Sequence, residues 1–201
     1  MLKTTHIDKK AQTIKYFSIL SNFLWRRAYY LSKNIKNGME TINVIDPCMG
    51  GGRLLKNIPA SWSGVGYESN YAEYKYAEAL FNNPERYNVQ AKNRPFEFHF
   101  SEPHPPQFDF AISIPYIDRT INANLEKDSF CYTFRSYAYY CMYRSIEILN
   151  PGGYLIFALP KDLVTSEAYK EDMEKISALD VDVKTSESYR DFTIIIIEKN
   201  K

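Results

Sequence analysis

The chain has 201 residues, 45% of them hydrophobic, and a formal net charge of +1. That length and apolar content build one substantial core, and a chain so near neutral is not a polyelectrolyte made to coat nucleic acid over its whole surface. Cys48, Cys131 and Cys141 have no metal-ligand spacing, and their odd number argues against a disulfide framework. No apolar run reaches the length of a membrane span and no signal-peptide pattern opens the chain, so a soluble, cytoplasmic protein is expected.

Charge is unevenly spread. Residues 1–36 carry Lys3, Lys9, Lys10, Lys15, Arg26, Arg27, Lys33 and Lys36 against the single acid Asp8. Such a run is either a solvated helix face or a face for phosphates. Ile14, Phe17, Leu20, Leu24 and Ala28 recur at three- and four-residue steps and predict a helix over 9–32, within a helical lead-in of residues 1–40. Thr41 to Ile45 reads as a strand, followed directly by the glycine turn Asp46-Pro47-Cys48-Met49-Gly50-Gly51-Gly52. Arg53 to Ile58 opens a helix stopped before Pro59. Ser63 to Tyr67 is a second strand ending in Glu68, and Asn70 caps a helix that runs to about Phe81.

Phe96 to Phe100 and Phe108 to Ile112 read as the third and fourth strands. A loop from Ile117 to about Ser129 precedes a helix over 130–149. Asn150-Pro151-Gly152-Gly153 is a turn signal, and Tyr154 to Leu159 a fifth strand. A helix over 166–179 leads to two last strands, 181–187 and 193–198. Strands alternating with helices imply an α/β fold, a single domain over 1–201 with a mostly parallel seven-stranded sheet and helices on both faces. Ser188 to Phe192 is too short for a parallel crossover, so the closing pair should be antiparallel.

In open α/β sheets ligands lie beyond the carboxyl ends of the strands, near the reversal of strand order. Gly50, Gly51 and Gly52 follow the first strand and fall at that place. Alone, three glycines make only a tight turn. Paired with Glu68 at the end of the next strand, an acid able to hold both hydroxyls of a ribose, they point to a nucleoside cofactor. The turn lacks the G-x-G-x-x-G spacing, and Asp46 would repel a pyrophosphate. It suits a cationic cofactor such as S-adenosylmethionine, which carries a sulfonium and an ammonium.

About sixty residues after the turn, Ser113-Ile114-Pro115-Tyr116 ends an apolar strand. A polar residue, a spacer, a proline and an aromatic can hold a flat nitrogen-bearing ring. Tyr116 would stack on it, Pro115 would stiffen the loop, and Ser113 Oγ with the Ile114 carbonyl would accept the two hydrogens of an exocyclic amine. That pulls the nitrogen toward tetrahedral geometry and aims its lone pair at a methyl group, by positioning rather than by a strong base.

Asp46-Pro47-Cys48-Met49-Gly50-Gly51-Gly52 resembles the D-P-x-x-G-x-G motif of the amino-methyltransferases, and Ser113-Ile114-Pro115-Tyr116 resembles their [DNS]-P-P-[YFW] motif. Asn150 to Pro160 is similar to the L-x-P-G-G strand of adenine-N6 DNA methyltransferases. The likeness runs from about Ile42 to Glu198 and follows the gamma arrangement, cofactor motif before catalytic motif. It implies a Rossmann-like methyltransferase domain, S-adenosylmethionine as cofactor and no metal. Asp46, Pro47, Gly50 and Gly52 would surround the methionine portion, Glu68 the ribose, and Ser101 and Glu102 the adenine. Phe192 would be a second aromatic on the extruded base, or ordinary core.

Two departures bear on the substrate. Ile114 replaces the first proline, as in the N-x-P-Y motif of ribosomal RNA adenine dimethyltransferases, and Ser113 resembles cytosine-N4 enzymes. The expectation is methylation of adenine N6 in DNA. The alternatives are RNA adenine methylation, an inactive subunit that binds nucleic acid or a partner methyltransferase, and action on a small molecule or a protein glutamine. These residues leave no room for a target-recognition region, so site choice is expected to be loose, to come from a separate subunit or to rest on RNA shape. The run of Tyr132, Tyr137, Tyr139, Tyr140 and Tyr143 fits helix packing better than base stacking, and His99 and His104 have no partners at ligand spacing.

Overall fold

The computed structural model describes residues 5–35, 41–85, 87–101, 107–115, 130 and 133–201. Seven strands form one sheet: β1 (Asn43–Asp46), β2 (Ser63–Tyr67), β3 (Val89–Lys92), β4 (Phe108–Ser113), β5 (Leu149–Pro160), β6 (Val181–Tyr189) and β7 (Phe192–Lys199). Their order is β3-β2-β1-β4-β5-β7-β6. The first five are parallel neighbours, and β7 runs antiparallel to both β5 and β6. The expected architecture, including the antiparallel closing strand, is the one observed. The strand order reverses between β1 and β4, which opens a crevice at their carboxyl ends.

The helices are α1 (Thr5–Ser32), α2 (Tyr71–Phe81), α3 (Tyr137–Glu147), α4 (Lys161–Val164) and α5 (Glu167–Ser177). They divide the core between two faces. Leu20 and Leu24 of α1 and Ala77 and Phe81 of α2 meet Phe110, Ile112, Ile194 and Ile196 on one face. The other takes Ala111, Ile195 and Ile197 under Tyr137, Tyr139 and Tyr140 of α3 and Ile176 of α5. The continuous run Ile194 to Ile197 follows from that arrangement, since a strand covered on both faces needs apolar residues at every position. The tyrosines of α3 are packed into the core; Tyr132 lies outside the described residues.

Side-chain hydrogen bonds anchor helix α1, among them one from Asn57 Nδ2 to Ser21 Oγ at 2.9 Å. Trp25 Nε1 donates to the Leu54 carbonyl at 2.8 Å. Arg27 Nη2 reaches both oxygens of Glu187 on β6, at 2.7 and 2.8 Å. One member of the basic set near the amino end is thereby committed to an ion pair rather than to phosphate.

Several local expectations differ from the structure. The stretch after the glycine turn makes only a 3-10 turn, Leu55–Asn57, because Pro59 leaves too few residues to nucleate an α-helix. The third strand is Val89–Lys92, whereas 96–101 is a 3-10 helix. Phe96, Phe98 and Phe100 alternate like a strand. Phe96 and His99, three apart, are fully buried, as is Glu97 beside them, and a 3-10 helix brings residues three apart onto one side. Helix α3 starts at Tyr137 rather than 130, where Ser136 caps it by accepting from Ala138 N. The turn signal at Asn150-Pro151-Gly152-Gly153 is absorbed into β5 as a register shift against β4. The helix expected over 166–179 is α5, with the short α4 before it.

Candidate functional site

Strand β1 delivers Asp46 to the crevice, and the turn that follows is held by a closed set of bonds. Met49 N donates to the Tyr67 carbonyl at 2.9 Å, and Gly52 N to the Met49 carbonyl at 3.1 Å. Gly50 and Gly52 have φ of +54° and +78°, in the left-handed region. A Cβ on Gly52 would also come within 2.7 Å of the Phe81 ring. Glu68 closes the turn from the neighbouring strand: its Oε2 accepts from Gly50 N at 3.0 Å and its Oε1 from Asn70 N. Asn70 in turn caps α2, accepting from Ala72 N and Glu73 N.

Asp46 is 1% exposed. Its Oδ1 accepts both Cys48 N, at 3.0 Å, and the Ser113 hydroxyl, at 2.7 Å. Among the described residues nothing donates to Oδ2. Burial pushes this carboxyl up to about 7; the Ser113 and Cys48 bonds oppose that rise and the nearby Glu68 carboxylate adds to it. Two acids on adjacent strand ends, one of them held near neutrality, make a place where a cation would be welcome.

Beside them lies a cavity of about 720 Å³, walled by Asp46, Pro47, Gly50 and Glu68, by Arg94, Pro95 and Phe96 beyond β3, and by Ile114 and Tyr137. That volume is in the range of small-molecule sites. The turn, with Gly52 buried just behind it, and Glu68 therefore lie along one cavity.

The end of β4 is arranged differently from the expectation. Ser113 is fully buried and its hydroxyl proton goes to Asp46, behind the cavity wall rather than into it. Ile114 lies on the wall and Pro115 is buried beside it. Tyr116 and Glu102 lie outside the described residues. Ser101 is exposed, with its hydroxyl on the Phe98 carbonyl, and is not part of the cavity; Arg94, Pro95 and Phe96 occupy the place foreseen for it. The cause is the 3-10 helix, which carries Ser101 away from the strand ends. Phe192 pairs with Pro160 at the carboxyl end of β5 and packs half-buried on the core beneath α1.

Sequence reasoning missed the polar supports under the cavity floor. Tyr67 OH lies 2.8 Å from His99 Nδ1, with Lys92 and Arg94 over the Tyr67 ring at 5.4 and 5.6 Å. Burial lifts the Tyr67 phenol above its ordinary range, and Arg94 partly offsets this. Tyr137 OH donates to Glu97 Oε2 at 2.7 Å, both groups buried. The signal that would have found them is the spacing Phe96-Glu97-Phe98-His99, in which polar residues stand among buried aromatics. Among the described residues no cluster of His, Cys, Asp or Glu could hold a metal ion, and no helix is long and apolar enough to cross a membrane.

No protein-family model matches this chain, and no curated protein matches it in sequence. Solved structures do match in shape. A protein assigned as a class I S-adenosylmethionine-dependent methyltransferase of Listeria monocytogenes superposes with a TM-score of 0.67 at 16% identity, over 89% of this chain and 59% of that one. Fibrillarin of Aeropyrum pernix, bound to S-adenosylmethionine, gives 0.57 at 15% identity, over 79% and 66%. An rRNA methylase of Streptococcus thermophilus gives 0.52 at 12%, over 80% and 88%. The chain thus spans under two thirds of the Listeria protein. These likenesses establish the class I methyltransferase fold.

Proposed function

We propose that the chain is an S-adenosylmethionine-dependent methyltransferase acting on an exocyclic amino group of a nucleobase, adenine N6 in DNA being the leading substrate. The observation that carries the reading is the bond from Ser113 to Asp46, 2.7 Å long, which ties the end of β4 to the cofactor turn. It holds Ser113 behind, and Ile114 on, the wall of a cavity of cofactor size. The residues present fit the cofactor: an acid with one oxygen that no described residue fills, a second acid at a strand end, and a backbone stripped of side chains at two left-handed glycines.

Asp46 would attract the ammonium and sulfonium charge, and Glu68 would accept ribose hydroxyls, since a carboxylate offers about four lone-pair directions and uses two here. Pro95 and Phe96 would flank the adenine, which replaces Ser101 and Glu102 in that role. When bound, the cofactor supplies an electrophilic methyl group. The chain's own residues orient the acceptor. The Ile114 carbonyl would take one amine hydrogen, and Tyr116 would stack on the base. Ser113 works from behind the wall: its hydroxyl fixes Asp46, leaving its own oxygen lone pairs to any group that reaches it. A base inside a duplex cannot enter a crevice at the strand ends, so it must be extruded or single-stranded.

RNA is the second reading. Ile114 in place of the first proline favours it, and the fold is shared with a protein named as an rRNA methylase. Tritiated S-adenosylmethionine incubated with DNA, ribosomal RNA and transfer RNA in parallel, followed by nucleoside separation, decides among these. Label in N6-methyladenine from DNA is the expected result; label only in RNA moves the substrate, and calorimetry showing no cofactor affinity removes the reading altogether.

A further inference from the structure

Cys48 and Cys141 are 93 residues apart in sequence, yet their Sγ atoms are 3.7 Å apart. Cys48 is half-buried on the wall of the cofactor cavity, inside the glycine turn. Cys141 is fully buried in the middle of α3, within the aromatic core. A small solute can therefore reach the first sulfur through the cavity, whereas the second sulfur is reached through the first.

We propose that Cys48 and Cys141 form a reversible thiol–disulfide pair, oxidised by a small peroxide that enters the cavity, and that the oxidised form disables the cofactor turn. The chemistry balances in two steps. The Cys48 sulfur attacks the peroxide O–O bond, giving a sulfenic acid and one water. The Cys141 sulfur then attacks the sulfenic sulfur, its proton leaves with the hydroxyl as a second water, and the S–S bond forms. Hydrogen peroxide is reduced by two electrons, which come from the two thiols. An external dithiol reverses the bond by exchange.

The structural consequence follows from what each sulfur is attached to. A disulfide is about 2.05 Å long, so the sulfurs must approach by about 1.6 Å from their present 3.7 Å. Cys141 sits mid-helix in packed core. Cys48 sits in a turn whose neighbouring amides hold the two acids: Cys48 N bonds Asp46 and Gly50 N bonds Glu68. The turn cannot swing as one body, because Met49 is wedged against Gly66, where a Cβ would lie 2.3 Å from the Met49 sulfur. The displacement therefore falls on Cys48 itself and on its amide contact with Asp46. A filled cavity, conversely, covers Cys48 and slows its oxidation. The effect on the cofactor rests on the function proposed above; the formation of the bond does not.

The test uses the full chain carrying Cys131→Ser, so that two thiols remain. Treatment with equimolar hydrogen peroxide, followed by non-reducing peptide mapping, is expected to give a Cys48–Cys141 cross-link. Calorimetry with S-adenosylmethionine is expected to show about a tenfold loss of affinity, the equivalent of one lost charge-assisted hydrogen bond, restored by dithiothreitol. Saturating cofactor should slow the cross-link, and Cys141→Ser should form none while keeping its affinity before treatment. The mapping with Cys141 intact is decisive even where that variant folds poorly. Oxidation of Cys48 to a sulfinic acid without linkage overturns the proposal, as does a cross-link that leaves affinity unchanged. Reduced protein with no cofactor affinity would instead remove the proposed function, while the peptide map still decides the thiol pair.

Discussion

Two aspartates stand at opposite ends of the adjacent strands β1 and β4, both buried, and they are used in opposite ways. Asp109, at the amino end of β4, uses both oxygens: Oδ2 accepts from Asn43 N at 2.9 Å, and Oδ1 from Asn150 Nδ2 at 2.9 Å. It thereby staples β1 and β5 to β4. Asp46, at the carboxyl end of β1, takes two bonds on Oδ1 and none on Oδ2 from the described residues, and its surroundings push it up to about 7. A buried acid satisfied on both sides is a structural joint; one satisfied on a single side and facing a cavity is prepared for a ligand.

The contrast can be broken most forcefully by pH. Folding raises the Asp46 carboxyl from an ordinary 3.8 to about 7, so the folded chain holds this proton more tightly than the unfolded one. Its contribution to stability is complete below about pH 4 and is lost as pH rises through about 7, by up to about 4 kcal/mol. Asp46→Asn should abolish that loss, read as the difference between the two proteins' urea midpoints across pH. The same variant should weaken S-adenosylmethionine binding at neutral pH, where the wild type gains affinity as Asp46 ionises. Identical pH profiles would mean that burial does not hold the Asp46 proton, and would overturn the assignment.

Asp109→Ala should cost about 3 kcal/mol of stability, since it strands a backbone donor and an amide. Cofactor affinity of the folded fraction should not change. Thermal melts paired with calorimetry check this, and a selective loss of affinity would overturn the assignment. Glu68→Ala should do the reverse, lowering affinity by about 2 kcal/mol with a smaller loss of stability, because two backbone amides of the turn and the proposed ribose contacts go together. Ser113→Ala is the finest probe. Loss of its bond should raise the Asp46 carboxyl further and weaken cofactor binding at neutral pH by about 1 kcal/mol, with recovery at higher pH.

The strand ends that carry these acids were legible in the sequence because glycines, Asn70 and apolar runs mark them locally. Asn70 is the clearest instance: its cap geometry was readable and is present. What failed was aromatic alternation at Phe96, Phe98 and Phe100, where packing of Phe96 and His99 overrode the strand pattern and took Ser101 off the site. The direction of the Ser113 side chain was not legible either. It depends on parallel pairing between β1 and β4 across 67 residues of sequence, which no local motif records.

The long-range contacts of α1 have a consequence for how the protein comes into being. Phe17 of α1 lines the cavity, and Arg27 is tied to Glu187, 160 residues later. Phe23 likewise packs on Tyr189, ring centres 5.6 Å apart. During vectorial synthesis the helix emerges well before its partners on the β6–β7 hairpin. The loop-closure cost of so long a separation is modest, but the contact cannot exist until those residues are made. A nascent chain can thus assemble β1, β2 and the glycine turn early, with α1 joined to them through Trp25 and Leu54, while the Arg27 side of the helix waits for the β6–β7 hairpin.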